Sequence, residues 1–181
     1  MEYVAAGTVQ VLAETGERSE VLATPAQTGD RYVLRLNLAG RAKGPERHVH
    51  PGLVESFLVR RGSVGFKLGR EASTLGPGES RQVPSGAVHG LWSAGDEPAE
   101  LDVEVIFTPP GPRPEADLVW FGEWYGRLSR HGRPSLLQMA VLLEEYSEAF
   151  ALPLPAGLQL AVVRPLAALG HLRGHRYARH T

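Results

Sequence analysis

The chain has 181 residues, 43% of them hydrophobic and 22% charged, with 19 basic against 20 acidic side chains and a formal net charge of -1. That is the composition of one folded domain with an appendage; it excludes a disordered or fibrous chain and supplies no global field to attract nucleic acid or anionic lipid. The absence of cysteine excludes disulfides, thiolate metal sites and cysteine nucleophiles.

In chain order, Met1-Glu2-Tyr3-Val4 lacks the basic-then-apolar run of a secretory signal, so a cytoplasmic protein is expected. Residues 8–12 and 20–24 read as strands of an N-terminal arm covering residues 1–28. In the next stretch Tyr32, Leu34, Leu36 and Leu38 alternate with Val33, Arg35 and Asn37, the period of a half-buried strand. Further strands are expected over residues 54–60, 63–68, 81–83, 88–92 and 101–108, separated by turns at Arg61-Gly62, Gly69, Gly76-Pro77-Gly78, Pro84-Ser85-Gly86 and Gly95-Asp96. Many short strands with regular turns place a sandwich or barrel over residues 29–112. The prolines of residues 109–114 then form a stiff connector, and residues 113–181 read as a helical extension. Residues 134–150 carry Leu136, Ala140, Leu143 and Phe150 at helical spacing, and Ala156–Leu172 forms a second, mostly apolar helix. Pro153, Pro155 and Pro165 argue against a membrane span there, so membrane association is not expected. The aromatic residues 119–125 would anchor this hairpin on the barrel or on a partner subunit.

The chemistry is concentrated in two Gly/Pro-framed segments. His48 and His50 lie two apart on an extended chain, so both imidazoles leave one face. The Pro51-Gly52 turn can swing Glu55 back toward them, and the Pro84-Ser85-Gly86 turn delivers His89 to the start of another strand. Three neutral imidazoles and a carboxylate suit one divalent transition metal ion (Fe, Mn, Ni, Co or Zn) rather than Ca or Mg. In a six-coordinate ion four such ligands leave two positions open, which is a catalytic rather than a structural arrangement. No Gly-x-Ser-x-Gly elbow and no phosphate-cradling Gly-x-x-x-x-Gly-Lys is present, so serine hydrolase and nucleoside triphosphatase chemistry has no starting point.

These segments resemble the cupin superfamily. His48-x-His50, four residues, Glu55, six residues and Gly62 match its first motif; Gly78, five residues, Pro84-x-Gly86, two residues and His89 match its second. The sequence departs from the pattern at Ala42, where the first motif has glycine, and at Ser93, where the second has asparagine; neither position is a metal ligand. The resemblance implies an all-β fold, a double-stranded β-helix or jelly-roll barrel, here with a C-terminal α-helical extension. It implies His48, His50, Glu55 and His89 as metal ligands, with Glu55 also catalytic, and it implies a homodimer. Strand parity then adds Phe57, Val59, Phe66, Arg81 and Leu91 as substrate-pocket residues. Trp92, of opposite parity to His89, is assigned to packing outside the cavity.

Cupins include dioxygenases, isomerases, epimerases, decarboxylases and non-enzymatic binders, so the fold alone leaves the reaction open. The reading adopted is metal-dependent, dioxygenase-type oxidation of a small oxygen-bearing molecule. The alternatives are a non-redox metal isomerase or lyase, or a small-molecule binding and sensing module. The extension is expected to be separable from the core, so that Leu143→Asp would disturb it and spare the metal.

Overall fold

The computed structural model describes residues 3–12, 17–108, 118–129 and 133–177. Within them the alternating segments become strands: β1 (Val9–Leu12), β2 (Glu17–Ala23), a single helical turn α1 (Pro25–Thr28), then β3 (Arg31–Leu38), β4 (Leu53–Arg61), β5 (Val64–Leu68), β6 (Glu71–Leu75), β7 (Ser80–Val83), β8 (His89–Ser93) and β9 (Ala99–Phe107). Three helices follow, α2 (Leu118–Ser129), α3 (Leu136–Glu145) and α4 (Ala156–Leu172). The strands form a six-stranded sheet, β1-β2-β3-β9-β4-β7, and a three-stranded sheet, β6-β5-β8. Sequence-distant β3, β9 and β4 lie side by side and antiparallel, as a double-stranded β-helix requires.

Period-2 alternation decides which face is buried. Leu53, Glu55, Phe57 and Val59 of β4 share the interior with Leu101, Val103 and Val105 of β9. On the opposite face Asp102 accepts hydrogen bonds from Arg35 at 2.9 Å and Arg60 at 2.7 Å. Such exposed ion pairs contribute at most about 1 kcal/mol each, whereas burying a Val, Leu or Phe side chain contributes about 1.5–3 kcal/mol. The hydrophobic interior therefore holds the barrel, and Glu55 is the polar exception on the inward face of β4.

Gly65 of β5 lies opposite Trp92 of β8, and the indole covers the glycine so closely that a Cβ there would stand 2.0 Å from the nearest ring atom. Trp92 thus packs on the outer face, as its parity implies. Three elements differ from the sequence reading. β6 is an edge strand without an apolar alternation. Residues 118–129, inside the stretch read as a helical extension but outside its two expected helices, form a further helix that closes over β1, where the Gln10 side-chain amide donates to the Val119 carbonyl at 3.0 Å. The helix expected over residues 134–150 begins as foreseen, with Ser135 and Gln138 forming a reciprocal cap, but stops at Glu145. Its continuation instead pairs with the barrel, Val49 and Ala151 exchanging main-chain hydrogen bonds of 2.9 and 2.8 Å.

α3 and α4 pack through small residues: a Cβ on Gly170 would meet Val141 at 2.6 Å. Leu158, Leu160 and Val162 of α4 remain exposed. Among the described residues no helix is long and apolar enough to cross a membrane. The proline-rich connector at residues 109–114 lies outside the described residues.

Candidate metal centre

Four side chains from three parts of the fold meet inside the barrel. Glu55 points inward from β4, and His89 opens β8 in the facing sheet. His48 lies in the segment between β3 and β4, locked to β8 because His48 and His89 exchange main-chain hydrogen bonds of 3.0 Å each. His50 follows two residues on, and the Gly86 amide of the second motif donates to its carbonyl at 2.9 Å. Gly86 has φ 78, a left-handed conformation that glycine adopts without strain. The Pro/Gly turn thus ties the two motif segments together at the site.

The orientation of the imidazoles follows from their outer partners. Nδ1 of His48 donates to the Glu46 carbonyl at 2.6 Å, Nδ1 of His50 to the Ala149 carbonyl at 2.6 Å, and Nδ1 of His89 to the Ala87 carbonyl at 3.0 Å. A carbonyl oxygen only accepts, so each Nδ1 carries the proton and each neutral ring presents an Nε2 lone pair inward. His48 Nε2 and His50 Nε2 stand 3.0 Å apart, and Glu55 Oε2 lies 3.3 Å from His50 Nε2 and 2.9 Å from His89 Nε2. Glu55 Oε2 and His89 Nε2 are buried, and neither makes an aligned hydrogen bond. All four donors fall within 4.8 Å of one another.

Lone pairs crowded this closely in a dry site repel unless a cation sits among them. A six-coordinate ion about 2.1 Å from each donor places adjacent donors about 3 Å apart. The observed spacings of 2.9–3.3 Å match that value, and the donors fit a first-row divalent ion.

Burial and neighbouring charge set the protonation of each donor. Burial, then the neighbouring His50 and His89, push the His48 pKa down to about 3, which keeps the ring neutral. Burial opposes a charged Glu55, but His50 and His89 outweigh it and hold the carboxyl well below the usual carboxylate range. Burial likewise opposes a charged His50, and there the Glu55 carboxylate prevails and raises the pKa.

The cluster opens into a cavity of about 150 Å³. Phe57 and Leu91 line it, as strand parity implies. Val59 and Phe66 are instead buried in the core behind it, with Phe66 packed on the rings of Phe57 and His89. Arg81 also departs from the pocket assignment. It lies directly opposite Phe57, yet β7 is the sheet edge, and its guanidinium reaches across to donate to Ser73 Oγ at 3.0 Å. The side chain links the two sheets and does not line the cavity.

The extension contributes directly to the site. Phe150 stacks on His48 at 4.9 Å and on Phe121 of α2 at 4.2 Å, forming a three-ring column from helix to imidazole. Ala149, from the same turn, supplies the carbonyl that orients His50. This geometry speaks against the expectation that disruption of α3 would spare the site, because the chain leaving α3 builds part of it. A carbonyl partner has no sequence signature. Phe150 had one, its aromatic character at the helix end, but only the fold shows where it goes. Glu17 was also missed, and it lines the cavity with its Oε2 buried.

Comparison with known proteins agrees with this geometry. A family profile described as Cupin domain matches residues 34–107. The Penicillium expansum protein named "Probable oxidoreductase patJ" is 29% identical over 92 residues, which cover 50% of this chain and 28% of that protein. The protein of the same name from Aspergillus clavatus is 27% identical with the same coverage. The match thus spans only 28% of the length of these curated relatives. Among solved structures, Ylba from E. coli superposes with a TM-score of 0.50 at 15% identity, covering 56% of this chain and 43% of that one, a likeness of fold alone. Residues 34–107 thus form a cupin domain, a double-stranded β-helix with helices appended beyond its barrel.

Proposed function

We propose that this chain is a mononuclear metal-dependent oxidoreductase of dioxygenase type, acting on a small oxygen-bearing molecule. The observation that carries this reading is the convergence of three carbonyl-anchored imidazoles and one carboxylate on a buried point that opens into a mostly apolar cavity. His48, His50 and His89 through Nε2, and Glu55 through Oε2, would hold the ion. A divalent redox ion bound there supplies Lewis-acid polarisation of substrate oxygens and an electron source for dioxygen. The oxidoreductase name of the fungal relatives is in keeping with this choice over a non-redox lyase.

The chain's own residues set the remaining conditions. The carbonyl-anchored histidines fix ligand direction before substrate arrives, which limits reorganisation. Glu55 is held ionised, and its Oε1 is left to take a proton from a substrate hydroxyl. Phe121 and Phe150 close the cavity on the helical side and exclude water. About 150 Å³ of space admits a molecule near the size of benzene with a few substituents.

The test is dioxygen uptake by iron-loaded protein against a panel of small diketones, phenols and hydroxy acids. Uptake that requires the ion and disappears in Glu55→Ala and His89→Ala is the expected result. Turnover of panel members without dioxygen, or tight binding without turnover, would overturn the oxidative reading.

A further inference from the structure

Glu17 stands at the start of β2, paired across the ladder with Leu12 of β1 and Leu38 of β3. Its side chain faces the same cavity as the histidine cluster, together with Gln10 and Ser19 from the same hairpin. The three polar side chains are not equivalent. Ser19 Oγ donates to Gln10 Oε1 at 3.4 Å, and Gln10 Nε2 donates to the Val119 carbonyl at 3.0 Å, so these two are satisfied within the protein. Glu17 Oε2 is buried and has no hydrogen-bond partner. The remaining wall includes Leu34, Leu36, Leu91 and Val103, none of which offers it one.

A buried carboxyl oxygen without a partner is costly, and an apolar residue would fill the position without that cost. Among the described residues no hydrogen bond of the hairpin uses its Oε2. Such a group is accounted for when a ligand completes it.

We propose that Glu17 is a substrate-contacting carboxyl, and that the ligand is two-ended: chelating oxygens at the histidine cluster, a small apolar body along the cavity, and a hydroxyl group hydrogen-bonded to Glu17. This rests on the metal-site reading above and adds to it the substrate class and the residue that reads its far end. Burial, then the nearby Glu55 charge, push the Glu17 pKa up to about 7. Near neutral pH the group is therefore available both as a donor and as an acceptor toward a hydroxyl.

The experiment uses two chelators that differ by one hydroxyl. Kojic acid and allomaltol share a hydroxypyranone that grips a divalent ion; kojic acid carries a hydroxymethyl where allomaltol has a methyl. Binding of each to Co(II)-loaded protein is read from the visible spectrum of the ion and by calorimetry. The expected result is that the unsubstituted protein prefers kojic acid about tenfold, the worth of one net hydrogen bond in a buried site. In Glu17→Ala the ratio falls to about one while bound cobalt per chain is retained. In Glu17→Gln, which keeps the shape and both hydrogen-bonding roles, a preference persists. A wild-type ratio near one, or a ratio unchanged in Glu17→Ala, would overturn the proposal, as would loss of cobalt from Glu17→Ala with retention in Glu17→Gln, which would make the residue structural. If neither chelator perturbs the cobalt spectrum, or no cobalt binds, the metal-site reading itself has failed, and the proposal falls with it.

Discussion

Replacing Phe150 with alanine separates a packing role for the helical extension from a role in the site. The ring lies between Phe121 at 4.2 Å and His48 at 4.9 Å, nearly parallel to both. Removing a fully buried phenylalanine costs about 3–5 kcal/mol, and each aromatic contact accounts for about 0.5–1.5 kcal/mol beyond burial. Phe150 is half-buried, so the loss should be about 2–3 kcal/mol. For a chain of this size that lowers Tm by about 4–12 °C. The same substitution removes the wall against which His48 rests, while its Nδ1 bond to Glu46 survives. A ligand that loses such outer support typically loses about tenfold or more in metal affinity. Thermal melting and a competitive metal titration on the same preparation give both numbers. A lowered Tm with unchanged metal affinity would refute the coupling of extension to site and restore the separable appendage.

Leu143→Asp buries a carboxylate in α3, at a position only 5% exposed; it should lower metal retention together with Tm, checked by elemental analysis after gel filtration. Glu17→Gln should stabilise the metal-free protein in a pH-dependent way. The folded-state pKa of Glu17, about 7, lies above the ordinary carboxyl value of 4.5, so the unfolded chain ionises first and stability falls between those values. The penalty reaches on the order of 3 kcal/mol above pH 7 and is absent below pH 4. The variant should therefore melt about 5–10 °C above the parent at pH 8 and together with it at pH 4; equal Tm values at both would remove the buried-acid account. Gly65→Ala forces the Trp92 indole to move and should cost about 1–3 kcal/mol, seen as a lowered urea midpoint with unchanged slope. An unchanged midpoint would show that the close approach is not a constraint.

Much of the site was legible before any coordinates, for a physical reason. On an extended strand the spacing of two residues fixes a common face, so His48 with His50, and Glu55 with Phe57, could be placed relative to each other from the sequence. Gly and Pro mark where the chain reverses, which brought Glu55 and His89 toward the pair. The missed features lack such local marks. β6 reads Glu-Ala-Ser-Thr-Leu and is held by main-chain pairing to β5 rather than by an apolar face. α2 contains Gly122, Gly126 and several aromatics, all poor helix formers, and its helicity comes from burial of Val119, Trp120 and Phe121. The early end of α3 reflects competition: Ala151 gains strand pairing with Val49, and Phe150 gains the ring column, which a longer helix would forfeit. Arg81 shows the limit of parity, which gives the face of a strand but not where a long side chain finds its partner. Glu17 looks like one more charge in a polar strand, and only the tertiary structure shows that water does not reach its Oε2.

The most direct measurement is the metal content of protein purified without an affinity tag, by elemental analysis alongside His48→Ala and His89→Ala. One first-row divalent ion per chain in the parent, lost from both variants while their folds persist by circular dichroism, is the predicted outcome. A parent that binds no such ion on reconstitution, or variants that bind it equally well, would contradict the account.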